Sequence, residues 1–218
     1  MTKIWKILIL VSVIIFSIAI GAGITYYFVN HSGDNKNKKY AKYLYVQRLE
    51  SKYSTTREIL ATEVENYITD VAPTSAIDAL VLVDACSKYN VDIRFVLAQA
   101  QIESHFGTKG TARKTNSVFN VGAFDGDSAE TQKKNGFGFS HPNHSIEPYL
   151  ILLTEDYLVD GKTESVLLEK FVNKSGKRYA SNTNYEAMLK ECIEKIDSLT
   201  TISYLQDEYN MYKLQLGY

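Results

Sequence analysis

The sequence predicts an all-α chain: a helical domain with a loop-rich lobe bearing a short β-hairpin, preceded by one transmembrane helix and a helical arm. Three observations carry this. Apolar residues recur at helical spacing along most of the 218 residues. The segment 92–107 is apolar nearly all round, as a buried central helix is. By contrast, 108–144 loses any period and fills with Gly, Asn and Ser, which reads as loop, with hairpin strands at 119–124 and 136–139.

From the N-terminus, Lys3 and Lys6 precede an uncharged run at 7–29, longer than the ~20 residues a bilayer-spanning helix needs. The two lysines favour a cytoplasmic N-terminus, although Lys36, Lys38, Lys39 and Lys42 weaken the asymmetry. Ala19, Gly21 and Ala22 are small enough to leave signal-peptide cleavage open as the alternative to a retained anchor. Either way the remainder is exported, and a retained anchor makes a single-pass membrane protein with its domain outside the cytoplasm. The expected divisions are 1–29 anchor, 30–72 linker and helical arm, 73–199 main domain and 200–218 helical tail.

Residues 31–40 are polar and read as a juxtamembrane linker. In the arm, Tyr43, Val46, Leu49 and Tyr53 form one stripe, and Ile59, Leu60, Val64, Tyr67 and Ile68 another. Thr55 and Glu58 make a capping box between the two pieces. Pro73 breaks the chain, and Ser75 caps a helix running to Tyr89. The central helix starts at Asp92, a good N-cap, and stops at Gly107, a good C′ residue. Ser145, with Pro148 in the first turn, opens a helix to about residue 158. Further helices are expected at 163–172 and 184–199. Ile202, Leu205, Tyr209, Tyr212 and Leu216 give the tail helical spacing.

Composition narrows the function. A net charge of −1 gives no support to nucleic-acid binding. The 16 tyrosines can line a sugar groove, or simply pack. Cys86 and Cys192 lack metal spacing; they form either one disulfide or two buried thiols. His105, His141 and His144 show no i, i+4 pair beside a carboxylate, so neither a metal nor another cofactor is implied. Ser104 sits in no nucleophile elbow, which leaves a serine hydrolase unsupported.

Glu103 is the candidate for chemistry. It lies in the last turn of the central helix, to one side of its main apolar face. Partial burial and the negative end of the helix dipole both disfavour its charge. A carboxyl kept protonated near neutral pH is what a general acid requires. The alternative is a surface glutamate at a fraying helix end.

Ala98-Gln99-Ala100-Gln101-Ile102-Glu103-Ser104-His105-Phe106-Gly107 resembles the catalytic-helix signature of the bacterial glucosaminidase domain, glycoside hydrolase family 73. Asn116-Ser117-Val118-Phe119-Asn120-Val121-Gly122-Ala123 is similar to that family's Asn-x-x-Phe-Gly-Ile element. Ser145-Ile146-Glu147-Pro148-Tyr149 resembles its next helix start, and Arg178-Tyr179-Ala180-Ser181-Asn182-Thr183-Asn184-Tyr185 its Tyr-Ala-Thr/Ser-Asp-Pro-x-Tyr element. Two departures stand out: Asn120 replaces a glycine, and Asn182-Thr183 replaces Asp-Pro. Both touch loop geometry more than the acid.

The resemblance implies a lysozyme-like fold with a cleft that binds peptidoglycan glycan strands. It implies hydrolysis of the β-1,4 bond on the reducing side of N-acetylglucosamine, with Glu103 as general acid. Tyr179 matches a cleft tyrosine that positions the sugar or the attacking water. Gln99, Asn116, Phe119, Phe124 and Tyr185 are the expected sugar-binding residues. Glycosidases commonly pair two carboxylates; Asp125 is the first choice for the second, ahead of Asp127 and Glu130. Assistance by the substrate's N-acetyl group would remove the need for one. A lytic transglycosylase on the same fold and a non-catalytic, membrane-anchored wall-binding or assembly module are the alternative readings.

Overall fold

The computed structural model describes residues 35–121 and 128–218. The apolar run at 7–29 lies outside the described residues, as do Phe124, Asp125 and Asp127. Among the described residues, no helix is long and apolar enough to cross a membrane.

The described chain is almost entirely helical. In order it forms α1 (Asn35–Val71), α2 (Ala79–Tyr89), α3 (Ile93–Ser104), α4 (Ala112–Thr115), α5 (Ala129–Lys134), a 3₁₀ turn (Pro142–Ser145) and α6 (Ile146–Leu152). A π turn (Leu153–Tyr157) then leads to α7 (Glu164–Glu169), α8 (Tyr185–Leu199) and α9 (Ile202–Leu216). The expected hairpin is corrected in its described part, 119–121 and 136–139, which forms no strand, while 122–124 lie outside the described residues. Among the described residues the one β feature is an isolated antiparallel bridge between Val172 and Arg178. Phe119 is instead a buried core residue. The 136–139 stretch is tied to α4, where Phe139 N–H donates to Thr115 O (2.7 Å).

Contacts divide the chain into two compact units. In the first, the described residues run to Ser54 and resume at Tyr212–Tyr218. There Tyr53 meets Tyr218 edge to face, with ring centroids 5.6 Å apart. The Lys52 ammonium lies 5.5 Å from the centre of the Tyr212 ring.

The second unit, Thr55–Met211, is organised on α3. Ile93, Phe95, Val96, Leu97, Ala98, Gln99 and Ala100 of that helix are all buried. Burying side chains such as Leu97 and Phe95 contributes about 1.5–3 kcal/mol each. The expectation of a central helix apolar all round is therefore met. α3 packs most extensively on α8, while α2 packs on α6 and α7 on α8. From α1, Leu60, Val64, Tyr67 and Ile68 are buried; from α9, Ile202, Leu205 and Tyr209 are. Cys86 and Cys192 are both buried free thiols.

Several boundaries differ from expectation for identifiable reasons. α1 starts inside the stretch read as linker and runs through Thr55 without a break, because no Gly or Pro interrupts it. α2 is capped by Asp78, whose carboxylate accepts from Leu80 and Val81 N–H. Ser75 instead donates to Phe106 O (3.0 Å). Asp92 caps α3 as expected, accepting from Arg94 N–H. That helix ends at Ser104 rather than Gly107. Phe106 N–H reaches back to Ala100 O (3.0 Å), and the Ser104 hydroxyl accepts from Gly107 N–H (2.7 Å). The helix expected at 145–158 divides into the 3₁₀ turn, α6 and the π turn, and the one expected at 163–172 shortens to α7.

Candidate active site

Glu103 stands on the last turn of α3, half-buried. Three left-handed residues follow closely: His105 (φ 52), Phe106 (φ 56) and Gly107 (φ 80). Glycine adopts this conformation readily; Phe106 does so at a cost in strain that its fully buried ring offsets. The reversal ends the helix one residue beyond Glu103 and leaves the acid at a helix terminus.

Two donors reach the carboxyl from distant parts of the chain. Tyr185 Oη–H, at the first residue of α8, donates to Glu103 Oε1 at 2.5 Å. Asn120 Nδ2 donates to the Glu103 backbone carbonyl at 2.8 Å and lies 3.3 Å from Oε2. Burial raises the Glu103 pKa above the ordinary carboxylate range, and the Tyr185 and Asn120 hydrogen bonds only partly counter it.

Behind Tyr185 lies a directed relay. Tyr149 Oη–H donates to Gln99 Oε1, which turns the Gln99 amide so that Nε2 donates to Tyr185 Oη at 3.1 Å. With its oxygen accepting from Gln99, Tyr185 spends its proton on Glu103 Oε1. Oε1 is thereby an acceptor, which leaves Oε2, with only the longer Asn120 contact, as the oxygen that can carry a proton outward when the acid is neutral. Burial, with smaller contributions from Tyr179 and Glu103, pushes the Tyr185 hydroxyl far above its ordinary value. It stays a donor across the working range.

The segment carrying Asn120 is held by two buried serines. Ser104 Oγ donates to Val118 O (2.6 Å), and Val118 N–H donates to Ser145 Oγ (3.2 Å). Beside it runs an aromatic wall. Tyr179 stacks on Phe171 (4.6 Å, 14°) and on Tyr185 (5.7 Å, 27°), and its hydroxyl donates to Phe119 O at 3.2 Å. Burial, then the Glu103 charge, raises the Tyr179 pKa well above its usual value. The bridge at Val172–Arg178 is fixed by Glu186, which accepts from Phe171 N–H (3.0 Å) and from Arg178 Nη2 (2.6 Å).

The structure thus brings Glu103, Tyr179 and Tyr185 together. It changes the expectation for three others. Gln99 is 0% exposed, with both amide ends bonded to tyrosines; it supports Tyr185 instead of facing a sugar. Phe119 is fully buried and stacks on Tyr149 at 3.9 Å. Asn116 adopts a left-handed backbone at the end of α4 and donates to Phe139 O at 2.8 Å, so its amide fastens a loop. Phe124 and Asp125 lie outside the described residues. Glu130 is exposed on α5; hydrogen bonds from its own N–H and from Ser128 hold its carboxyl below the ordinary range. Sequence reading missed Tyr149 and Asn120 as site residues. The second carried a signal, an asparagine where the resembling family has glycine. Among the described residues no cluster of His, Cys, Asp and Glu could hold a metal ion.

The family model described as Glucosaminidase, mannosyl-glycoprotein endo-beta-N-acetylglucosaminidase, matches residues 79–198, more than half the chain. The matched stretch includes α3, Asn120, α6 and the Arg178–Tyr185 segment. No curated protein and no solved structure gives a match.

Proposed function

The chain belongs to the glucosaminidase family and is a glycosidase; from that footing we propose that it is an endo-β-N-acetylglucosaminidase of peptidoglycan with Glu103 as its general acid. The observation that carries the role is the Glu103 carboxyl itself. It is half-buried, raised in pKa by that burial and bonded at Oε1 by Tyr185. Its proton, on Oε2, is poised for the oxygen of the leaving sugar, and positive charge then develops at the sugar's anomeric carbon. Water completes the hydrolysis, activated by a second carboxylate for which Asp125 is the proposed residue, or preceded by attack of the substrate's own N-acetyl group. Tyr179 forms one wall of the sugar site, with its hydroxyl braced on Phe119.

The site works outside the cytoplasm in this reading, tethered by residues 7–29. Support for that is the sequence alone: the uncharged run behind Lys3 and Lys6, and a substrate that lies beyond the membrane.

The test is clearing of purified peptidoglycan by the full-length chain and by Glu103→Gln, with mass spectrometry of the products. General acid catalysis contributes roughly 10²–10⁴-fold, so Glu103→Gln should lose that much rate. Parent products should carry an intact reducing-end N-acetylglucosamine. Clearing by Glu103→Gln at the parent rate would overturn the assignment. An anhydro sugar one water lighter would make the enzyme a lytic transglycosylase.

A further inference from the structure

We propose that Asn120 is a positioning residue of this site: its carboxamide holds Glu103 Oε2 and takes up the charge left there when the acid gives its proton away. The assignment rests on the reading of Glu103 as general acid. Three observations support it.

First, one nitrogen engages both ends of the same residue. Asn120 Nδ2 donates to the Glu103 carbonyl at 2.8 Å and faces Oε2 at 3.3 Å. The carbonyl belongs to the last helical turn, where no intrahelical donor is available. Because a carbonyl oxygen can only accept, its partner is the amide nitrogen and not Oδ1, and this bond settles which way the amide points.

Second, that orientation is costly. Asn120 has φ 48, the left-handed conformation that glycine takes with least strain. Its Oδ1 is buried with no hydrogen-bond partner among the described residues. A buried orphan acceptor costs about 1–3 kcal/mol. Glycine at this position would avoid both penalties, so the amide must return something that a bare backbone cannot.

Third, the geometry favours the product of proton transfer over its reactant. Oε1 is already supplied by Tyr185, so Oε2 is the oxygen whose charge changes. A long bond to a neutral hydroxyl oxygen is weak, and the same contact to a carboxylate is charge-assisted and about twice as strong. A bond that strengthens as charge develops lowers the barrier, where one equally strong throughout would not.

Among the described residues, the titratable groups that interact with Glu103 are Tyr185 on α8, Tyr179 before it and Tyr149 on α6. Burial keeps all three neutral in the working range, so the alkaline limb of the activity profile reports Glu103.

The experiment compares the full-length parent with Asn120→Gly on purified peptidoglycan across pH. The Glu103 side-chain carbon is titrated in parallel by NMR of carboxyl-labelled chain. Glycine suits the backbone, so the substitution removes the amide without adding strain. The expected result is a kcat reduced about tenfold with KM nearly unchanged. The alkaline limb and the Glu103 resonance should both move up by about half a pH unit. If activity falls but limb and resonance stay put in Asn120→Gly, Asn120 only caps the helix and the proposal is overturned. Glu103→Gln is run alongside: should it remain active, the acid assignment itself has failed. An inactive Glu103→Gln with an unmoved limb in Asn120→Gly sinks the Asn120 role alone.

Discussion

Tyr185 Oη and Glu103 Oε1 lie 2.5 Å apart across a sequence separation of 82 residues. The contact joins the start of α8 to the end of α3, the two helices most extensively packed on one another. It makes Oε1 an acceptor and leaves Oε2 to face the Asn120 amide.

Tyr185→Phe removes that donor while keeping the ring. The hydroxyl stabilises the carboxylate and so lowers the Glu103 pKa; without it the pKa rises further. The alkaline limb of peptidoglycan clearing should move up by about one pH unit, with kcat reduced as Glu103 loses its orientation. A pH–rate profile with an unshifted limb would show that the hydroxyl does not govern the acid.

Gln99→Leu tests the buried relay. The substitution leaves the Tyr149 and Tyr185 hydroxyls without their amide partner in a fully buried place. Unpaired buried polar groups cost about 1–3 kcal/mol each, to be read as a fall in the denaturant midpoint at unchanged slope. Since Gln99 is 0% exposed, kcat should drop while KM holds. A selective rise in KM would restore Gln99 to the sugar-binding surface.

Glu103→Gln should stabilise the fold in a pH-dependent way. The folded-state pKa of Glu103 is raised by burial, so the native state binds more protons than the unfolded one between the ordinary and the raised value. Stability in the parent therefore falls as pH climbs through that window and is recovered as pH drops below it. Gln carries no charge to bury. Thermal melts should show the variant above the parent at pH 7 and level with it near pH 4, by roughly 2–4 °C per kcal/mol relieved. Equal melting temperatures at both pH values would contradict the burial of this charge.

Glu186→Ala probes the bracket under Tyr179. Burial by itself would raise the Glu186 pKa, but the Phe171 N–H, its own backbone N–H and Arg178 hold it below the ordinary range. The substitution strands the buried Phe171 N–H and loosens the Val172–Arg178 bridge, at about 1–3 kcal/mol. In the parent, the Glu186 contribution is present above the ordinary carboxylate pKa and disappears as pH falls through the lowered one. Urea melts at neutral pH and in acid should therefore differ more for the parent than for the variant.

What could be read from the linear chain is what depends on neighbours in sequence. The Asp92 cap, the apolar circumference of 93–100 and the acid at the helix end all obey a period of a few residues, and the structure keeps each of them. The helical tail was legible for the same reason. The backbone at 119–121 and 136–139, expected as hairpin strands, was not, because a loop rich in Gly and Asn can be held equally by side-chain bonds. Here Asn116, Ser104 and Ser145 hold it.

The sequence by itself determined that a glutamate ends a greasy helix and that tyrosines follow far downstream. Only the folded chain decided which of those residues turn inward. Gln99 and Phe119 belong to the same motifs as the residues at the carboxyl, yet one is a buried relay and the other core, since facing inward depends on what packs opposite. The pKa of Glu103 was likewise a tertiary decision. Burial raises it, while Tyr185 arriving from α8 and Asn120 arriving from a left-handed loop pull it part of the way back, and these groups meet only once α3 and α8 have closed on each other.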